Sequence, residues 1–201
     1  MSMTIYDDAI QRIDAANGAD PNRETYGGRD WPKELLYSHR MSAWLARLAP
    51  AASEPLRLAA RAQHIERWRI PRRDFEDGKK GYHLWRTTLY RYHADRAGAI
   101  LAAAGYDASM IERVGQLLQK KHLRSDPEAQ TLEDAACLVF LENHFAEFVD
   151  KYEEKYDAAK IVDIVRKTWA KMSENGHKAA LALAGQLPDR ARKLVETALA
   201  P

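Results

Sequence analysis

The stretch ARAQHIERWRIPRR sets one imidazole, His64, among five arginines between Arg61 and Arg73. Imidazole can carry a proton or hold a metal near neutral pH, and a guanidinium can pair two oxygens of a phosphate or carboxylate at once. Further chemistry of the same kind lies downstream. His93 follows Leu89 and Tyr90, Arg86 stands between Trp85 and Thr87, and Lys120 closes a later helical pattern. If the fold carries Arg67, Arg86 and Lys120 toward His64 and His93, the result is a pocket for a small anionic ligand. His93 would serve it as acid or base. A blander arrangement competes. Asp74, Glu76 and Asp77 directly follow the basic run and could neutralise it as solvated pairs worth about 0–1 kcal/mol each.

The elements that must position these groups have helical period throughout. Ile5, Ala9, Ile10 and Ile13 mark a first helix that Gly18 ends. NRETYGGRDW is a polar connector, after which Pro32 suits the first position of a helix striped by Leu35, Leu36, Met41, Trp44, Leu45 and Leu48. Ser53-Glu54-Pro55 opens the helix expected to carry His64 in its interior, on a face with Leu56, Ala60 and Trp68. After the break IPRRDFEDGKKG a long helix is expected from about Tyr82 to Ala104, and Asp107 or Ser109 can cap the next. Leu132 to Tyr152 is the most apolar segment, expected as one central helix. ENGHKAALALAG and DRARKLVETALA read as short closing helices. No Val/Ile-rich alternation argues for a strand. The expectation is an all-α bundle of about eight or nine helices in one domain over 1–201: a helix and connector over 1–30, a core over 31–172, closing helices over 173–201.

Composition narrows the function classes. With 31 basic and 29 acidic residues the net charge is +2, so no global field draws the chain to nucleic acid, and an anion site must be local. At 46% hydrophobic the chain can bury a substantial core, yet no apolar run nears the roughly 20 residues that span a bilayer. The start, MSMTIYDDAIQRID, reads as an acidic amphipathic helix rather than a signal peptide, so a cytoplasmic protein is expected. The lone Cys137 lies in an apolar run, where burial keeps a thiol inert. Trp44, Trp68, Trp85 and Trp169 fall in packing stripes rather than among exposed basic residues.

Two resemblances add to this. His39 in LLYSHRMSAWL, His64 in RAQHIERW and Asp134 in LEDAA, 25 and 70 residues apart, resemble the metal ligands of the HD-domain phosphohydrolase superfamily. YHADRAGAILAAAGY resembles a later helix of such domains. The resemblance implies an HD-like core in which His39, His64 and Asp134 hold a divalent metal (Mn, Fe, Zn or Mg) that activates water. The sequence departs from the pattern at Ile65, where the superfamily has aspartate. Glu66 would be turned about 200° from His64 in a helix. A closer resemblance, in five ordered blocks, is to the family called domain of unknown function 4202. These blocks are ELLYSHRMSAWLARL, LRLAARAQHIERWRIPR, WRTTLYRYHADRAGAIL, DPEAQTLEDAACLVFLE and VRKTWAKMS. That family carries no established activity. HIER and KMSEN superficially resemble the nucleotide signatures of class I aminoacyl-tRNA synthetases, but they lack the doubly wound sheet those signatures need.

Two functional expectations follow. One is a metal-dependent phosphohydrolase acting on a small nucleotide or other phosphorylated metabolite. The other is a non-catalytic helical domain that binds an anionic metabolite or a protein partner, with Ile65 as the trace of lost metal chemistry.

Overall fold

In the computed structural model, residues 3–152 and 158–199 are described. The chain is essentially all-α, with ten α-helices, two short 3-10 turns and one small hairpin among the described residues. It divides into two compact units, Met1–Ala129 and Gln130–Pro201.

In the first unit, α1 (Ile5–Gly18) starts from a capping box in which Thr4 Oγ1 accepts from the Asp7 amide and Asp7 reaches back. The chain then makes an antiparallel hairpin, β1 (Arg23–Tyr26) and β2 (Arg29–Pro32), where the sequence suggested only a connector. The turn is built on Gly27 and Gly28 at φ 59° and 74°, the two positive values that a tight two-residue hairpin demands. Such short strands, polar on both sides, carry no alternating apolar signal. Pro32 therefore ends a strand and precedes α2 (Lys33–Leu48) rather than opening it.

Ser53 caps α3 (Glu54–Ala62), its hydroxyl accepting from the Leu56 amide. The helix ends at Ala62, so His64 lies in the turn that follows and not in a helix interior. Two 3-10 turns, Arg67–Arg69 and Arg72–Asp74, lead to α4 (Gly78–Ala104), which begins a turn earlier than the expected Tyr82. Gly105, at φ 99°, ends it, and Asp107 caps α5 (Ala108–Leu118). The core of this unit is formed by Ile13, Met41, Leu58, Leu89, Leu101, Leu117 and the fully buried Ile65. Ile65 therefore fills the position where the resembled superfamily carries aspartate. Burying it is worth about 1.5–3 kcal/mol, and a carboxylate there would lose that and its own hydration.

The unit boundary falls inside the first turn of α6 (Pro127–Asn143). The expected single helix from Leu132 to Tyr152 is two, α6 and α7 (Phe145–Tyr152). In the second unit α8 (Ala158–Trp169), α9 (Glu174–Ala184) and α10 (Asp189–Leu199) follow, and α10 packs on α7 and α8. Leu138, Phe145, Ile161, Val165 and Val195 lie in its interior, and Cys137 is buried.

Candidate functional site

His64 is held on several sides. The Tyr37 ring of α2 stacks on it at 3.9 Å with planes 11° apart. Arg67 NH1 lies 2.9 Å from Nε2 and a Glu34 carboxylate oxygen 3.5 Å from Nδ1. A guanidinium can only donate, so Nε2 accepts from Arg67 and the ring proton resides on Nδ1, toward Glu34. Burial, then Arg67, His93, Lys120 and Arg86, hold the His64 pKa well below the usual histidine value. This ring is neutral, and the groups that add to burial in depressing it include the three cations singled out in the sequence.

His93, on α4, is 2% exposed and its ring centre lies 5.9 Å from that of His64. Burial, helped by Arg67, lowers its pKa to about 3. Its Nε2 is buried without a hydrogen-bond partner among the described residues. Leaving such an atom unpaired costs about 1–3 kcal/mol, and among the described residues it is the one buried imidazole nitrogen so left. Glu34 completes the inner group: burial first, then Asp20, raise its carboxyl to about 7 against the pull of Arg67.

The cations surround this group. Arg67 lies 4.8 Å over the Trp85 ring, whose indole N–H donates to the Ile70 carbonyl at 2.9 Å. Arg86 donates to the hydroxyls of Tyr82 and Tyr90, one turn before and one turn after it on α4. Lys120 Nζ is 5.5 Å from the centre of the Tyr90 ring. Among the described residues neither Arg67 nor Arg86 is ion-paired with a carboxylate. The acidic residues after the basic run do not neutralise Arg67. Arg72 instead donates to the Phe75 and Glu76 carbonyls, and Arg73 reaches Asp74 only at 4.0 Å. The surroundings of the two imidazoles thus carry a positive local field.

Two backbone features aim these cations. Glu66 and Lys120 have left-handed φ values of 48° and 55°, a conformation that costs a non-glycine residue roughly 1–2 kcal/mol. Glu66 brings Arg67 into the site and Lys120 closes α5 beside it.

The other residues of the metal set implied by the HD resemblance, His39 and Asp134, have these partners. His39, on α2 and half-exposed, has its Nε2 2.9 Å from Arg61 NH2, and Arg61 is bound bidentately by Asp14 at 2.6 Å. Burial and Arg61 lower the His39 pKa. A guanidinium at the lone pair of a ligand nitrogen leaves no room for a cation there. Asp134 belongs to the second unit. It is buried and accepts from the Ser173 amide at 2.8 Å, from the Ser173 hydroxyl, and from Gln130 Nε2 at 3.0 Å. Ser173 in turn caps α9 by accepting from the Gly176 amide. In these roles His39 is committed to Arg61 and Asp134 to Ser173 and Gln130, each within its own unit. Among the described residues no group of three or more His, Cys, Asp or Glu side chains could hold a metal.

The site residues foreseen in sequence, Arg67, Arg86, Lys120, His64 and His93, do come together within the first unit. Glu34 and Tyr37 were missed, since no local pattern links α2 to a turn thirty residues away.

Fold and site together define an all-α protein whose first unit gathers cations around two neutral imidazoles. The chain belongs to the family described as a domain of unknown function (DUF4202), whose family model matches residues 7–195. No curated protein and no solved structure matches it. No helix among the described residues is long and apolar enough to cross a membrane.

Proposed function

We propose that the first unit binds a small phosphorylated metabolite through Arg67, Arg86 and Lys120. The buried His93 Nε2 without a partner, beside Arg67 and Arg86, neither of which is ion-paired with a carboxylate among the described residues, carries this reading. A dianionic phosphate offers the acceptors that guanidinium forks prefer. Its oxygens accept from the imidazole in the tautomer that carries the proton on Nε2, and an ordered water can serve the other tautomer. Isothermal titration with inorganic phosphate, pyrophosphate and nucleoside phosphates tests it. Saturable binding is expected, with Arg67→Ala and Arg86→Ala each weakening it about tenfold or more, the loss expected for a charged hydrogen bond. Unchanged affinity in both variants would remove the reading.

Hydrolysis of the bound phosphate is a second reading, favoured by the Glu34 carboxyl. Held near neutrality 3.5 Å from His64, it could pass a proton to a leaving oxygen. In this version His93 orients the ligand rather than acting as the acid, because its imidazole stays unprotonated at neutral pH. A metal-dependent form would require His39 to leave Arg61 and Asp134 to leave Ser173. Phosphate release from a panel of phosphomonoesters, with and without added Mn²⁺, separates these cases. No release in either condition leaves the binding domain alone, and release only with Mn²⁺ restores the metal-dependent phosphohydrolase.

A further inference from the structure

We infer that Glu66 is a positioning residue for the anion site, holding the turn that suspends Arg67 between His64 and Trp85. The inference rests on the phosphate-binding reading above. Glu66 is 5% exposed, and its side chain bonds the Tyr92 and Arg96 side chains of α4. There Oε2 accepts from the Tyr92 hydroxyl at 2.8 Å and from Arg96 Nε at 2.9 Å, while Oε1 accepts from Arg96 NH2 at 3.2 Å. Arg69 Nε adds a fourth contact at 3.2 Å. The backbone amide of Glu66 donates to Asn17 Oδ1 of α1 at 3.0 Å. One residue is thereby tied to two helices, by its amide and by its carboxylate, at a backbone angle it would otherwise avoid.

The next residue is the one that reaches the imidazole. The Arg67 amide donates to the His64 carbonyl at 3.1 Å, and the Arg69 amide to the Glu66 carbonyl at 3.0 Å, so the turn is tight on both sides of the left-handed residue. The Arg67 guanidinium then spans from His64 Nε2 to the face of Trp85. Glu66 and Arg67 thus contact separate parts of α4: Tyr92 and Arg96 for the first, Trp85 for the second. Without the carboxylate anchor the left-handed turn is no longer compensated. The chain relaxes toward a right-handed course, and the Arg67 Cα moves with it.

The test is phosphate affinity in a double-mutant cycle, measured calorimetrically on the full chain well below the melting temperature. Glu66→Gln keeps the shape of the side chain and removes its charge. It is expected to weaken phosphate binding about tenfold, since a charged hydrogen-bond set is lost. The double variant E66Q/R67A is expected to bind no worse than Arg67→Ala alone, because the two act through one contact. Additive losses, or wild-type affinity in E66Q, would overturn the inference while leaving the phosphate site standing. Failure of the wild-type protein to bind phosphate would instead remove the underlying reading and this inference with it. Should E66Q fold poorly, Tyr92→Phe deletes one anchoring bond from outside the site. A few-fold loss that vanishes in the R67A background is expected, and an unchanged affinity counts against the proposal.

Discussion

His93 is the residue on which pH should act most visibly. Its pKa is near 3 in the folded chain and about 6.5 once unfolded. Below pH 6.5 the unfolded chain takes up a proton that the native state declines. Stability is therefore fully present above that pH and is lost as pH falls toward 3, by up to roughly 1.4 kcal/mol per pH unit. Carboxylates titrate over the same range, so the informative quantity is a difference. Denaturant melts of wild type and His93→Gln between pH 4 and 6.5 should show a shallower pH slope in the variant. Parallel slopes would mean that His93 is not the neutral buried group described. At this scale sequence was a fair guide to which side chains matter, because arginine, lysine and histidine announce their chemistry by type. It was a poor guide to their partners. The αL angle at Glu66 depends on Asn17, Tyr92 and Arg96, and contacts that distant in sequence leave no local trace.

At the scale of elements, one glycine and one carboxylate show where packing is tightest. A Cβ on Gly81, in the first turn of α4, would lie 2.0 Å from the Glu76 carbonyl oxygen. That backbone is pinned by Arg72, so Gly81→Ala must displace the whole loop and should cost several kcal/mol in denaturant melts, as overpacked sites do. In the second unit, Asp134→Ala strips the α6 partner from Ser173 at the start of α9. A loss of about 1–3 kcal/mol is expected, with no dependence on added Mn²⁺. A thermal shift by Mn²⁺ in wild type that disappears in the variant would instead make Asp134 a ligand. Helical periodicity made most elements legible beforehand, down to the Ser53 and Asp107 caps and the Gly105 stop. The hairpin was illegible as strands because RETY and RDWP have no buried face to alternate. In hindsight only the Gly27-Gly28 pair signals it. His64 looked helical because its apolar spacing continues through the turn, whereas the helix stops at Ala62.

For the whole molecule, net charge separates local from diffuse attraction. A chain at +2 with 31 cations holds several of them in short pairs such as Arg61–Asp14, Arg40–Glu24 and Arg113–Asp126. Phosphate binding should then be saturable and only modestly salt-sensitive. Raising salt from about 0.05 to 0.3 M should weaken it less than about tenfold, since buried charges are poorly screened. Duplex DNA should bind weakly at the higher salt, as a polyanion without a continuous basic surface to neutralise it must. Strong, salt-resistant DNA binding would overturn the local picture. The Arg67–Trp85 contact supplies an optical readout for all of this. A cation resting on an indole face perturbs its excited state, so a ligand that draws the guanidinium away should shift the emission of that fluorophore. The difference between wild type and Trp85→Phe isolates it from the other four tryptophans, turning occupancy of the site into a change of colour and intensity that a titration can follow without any label.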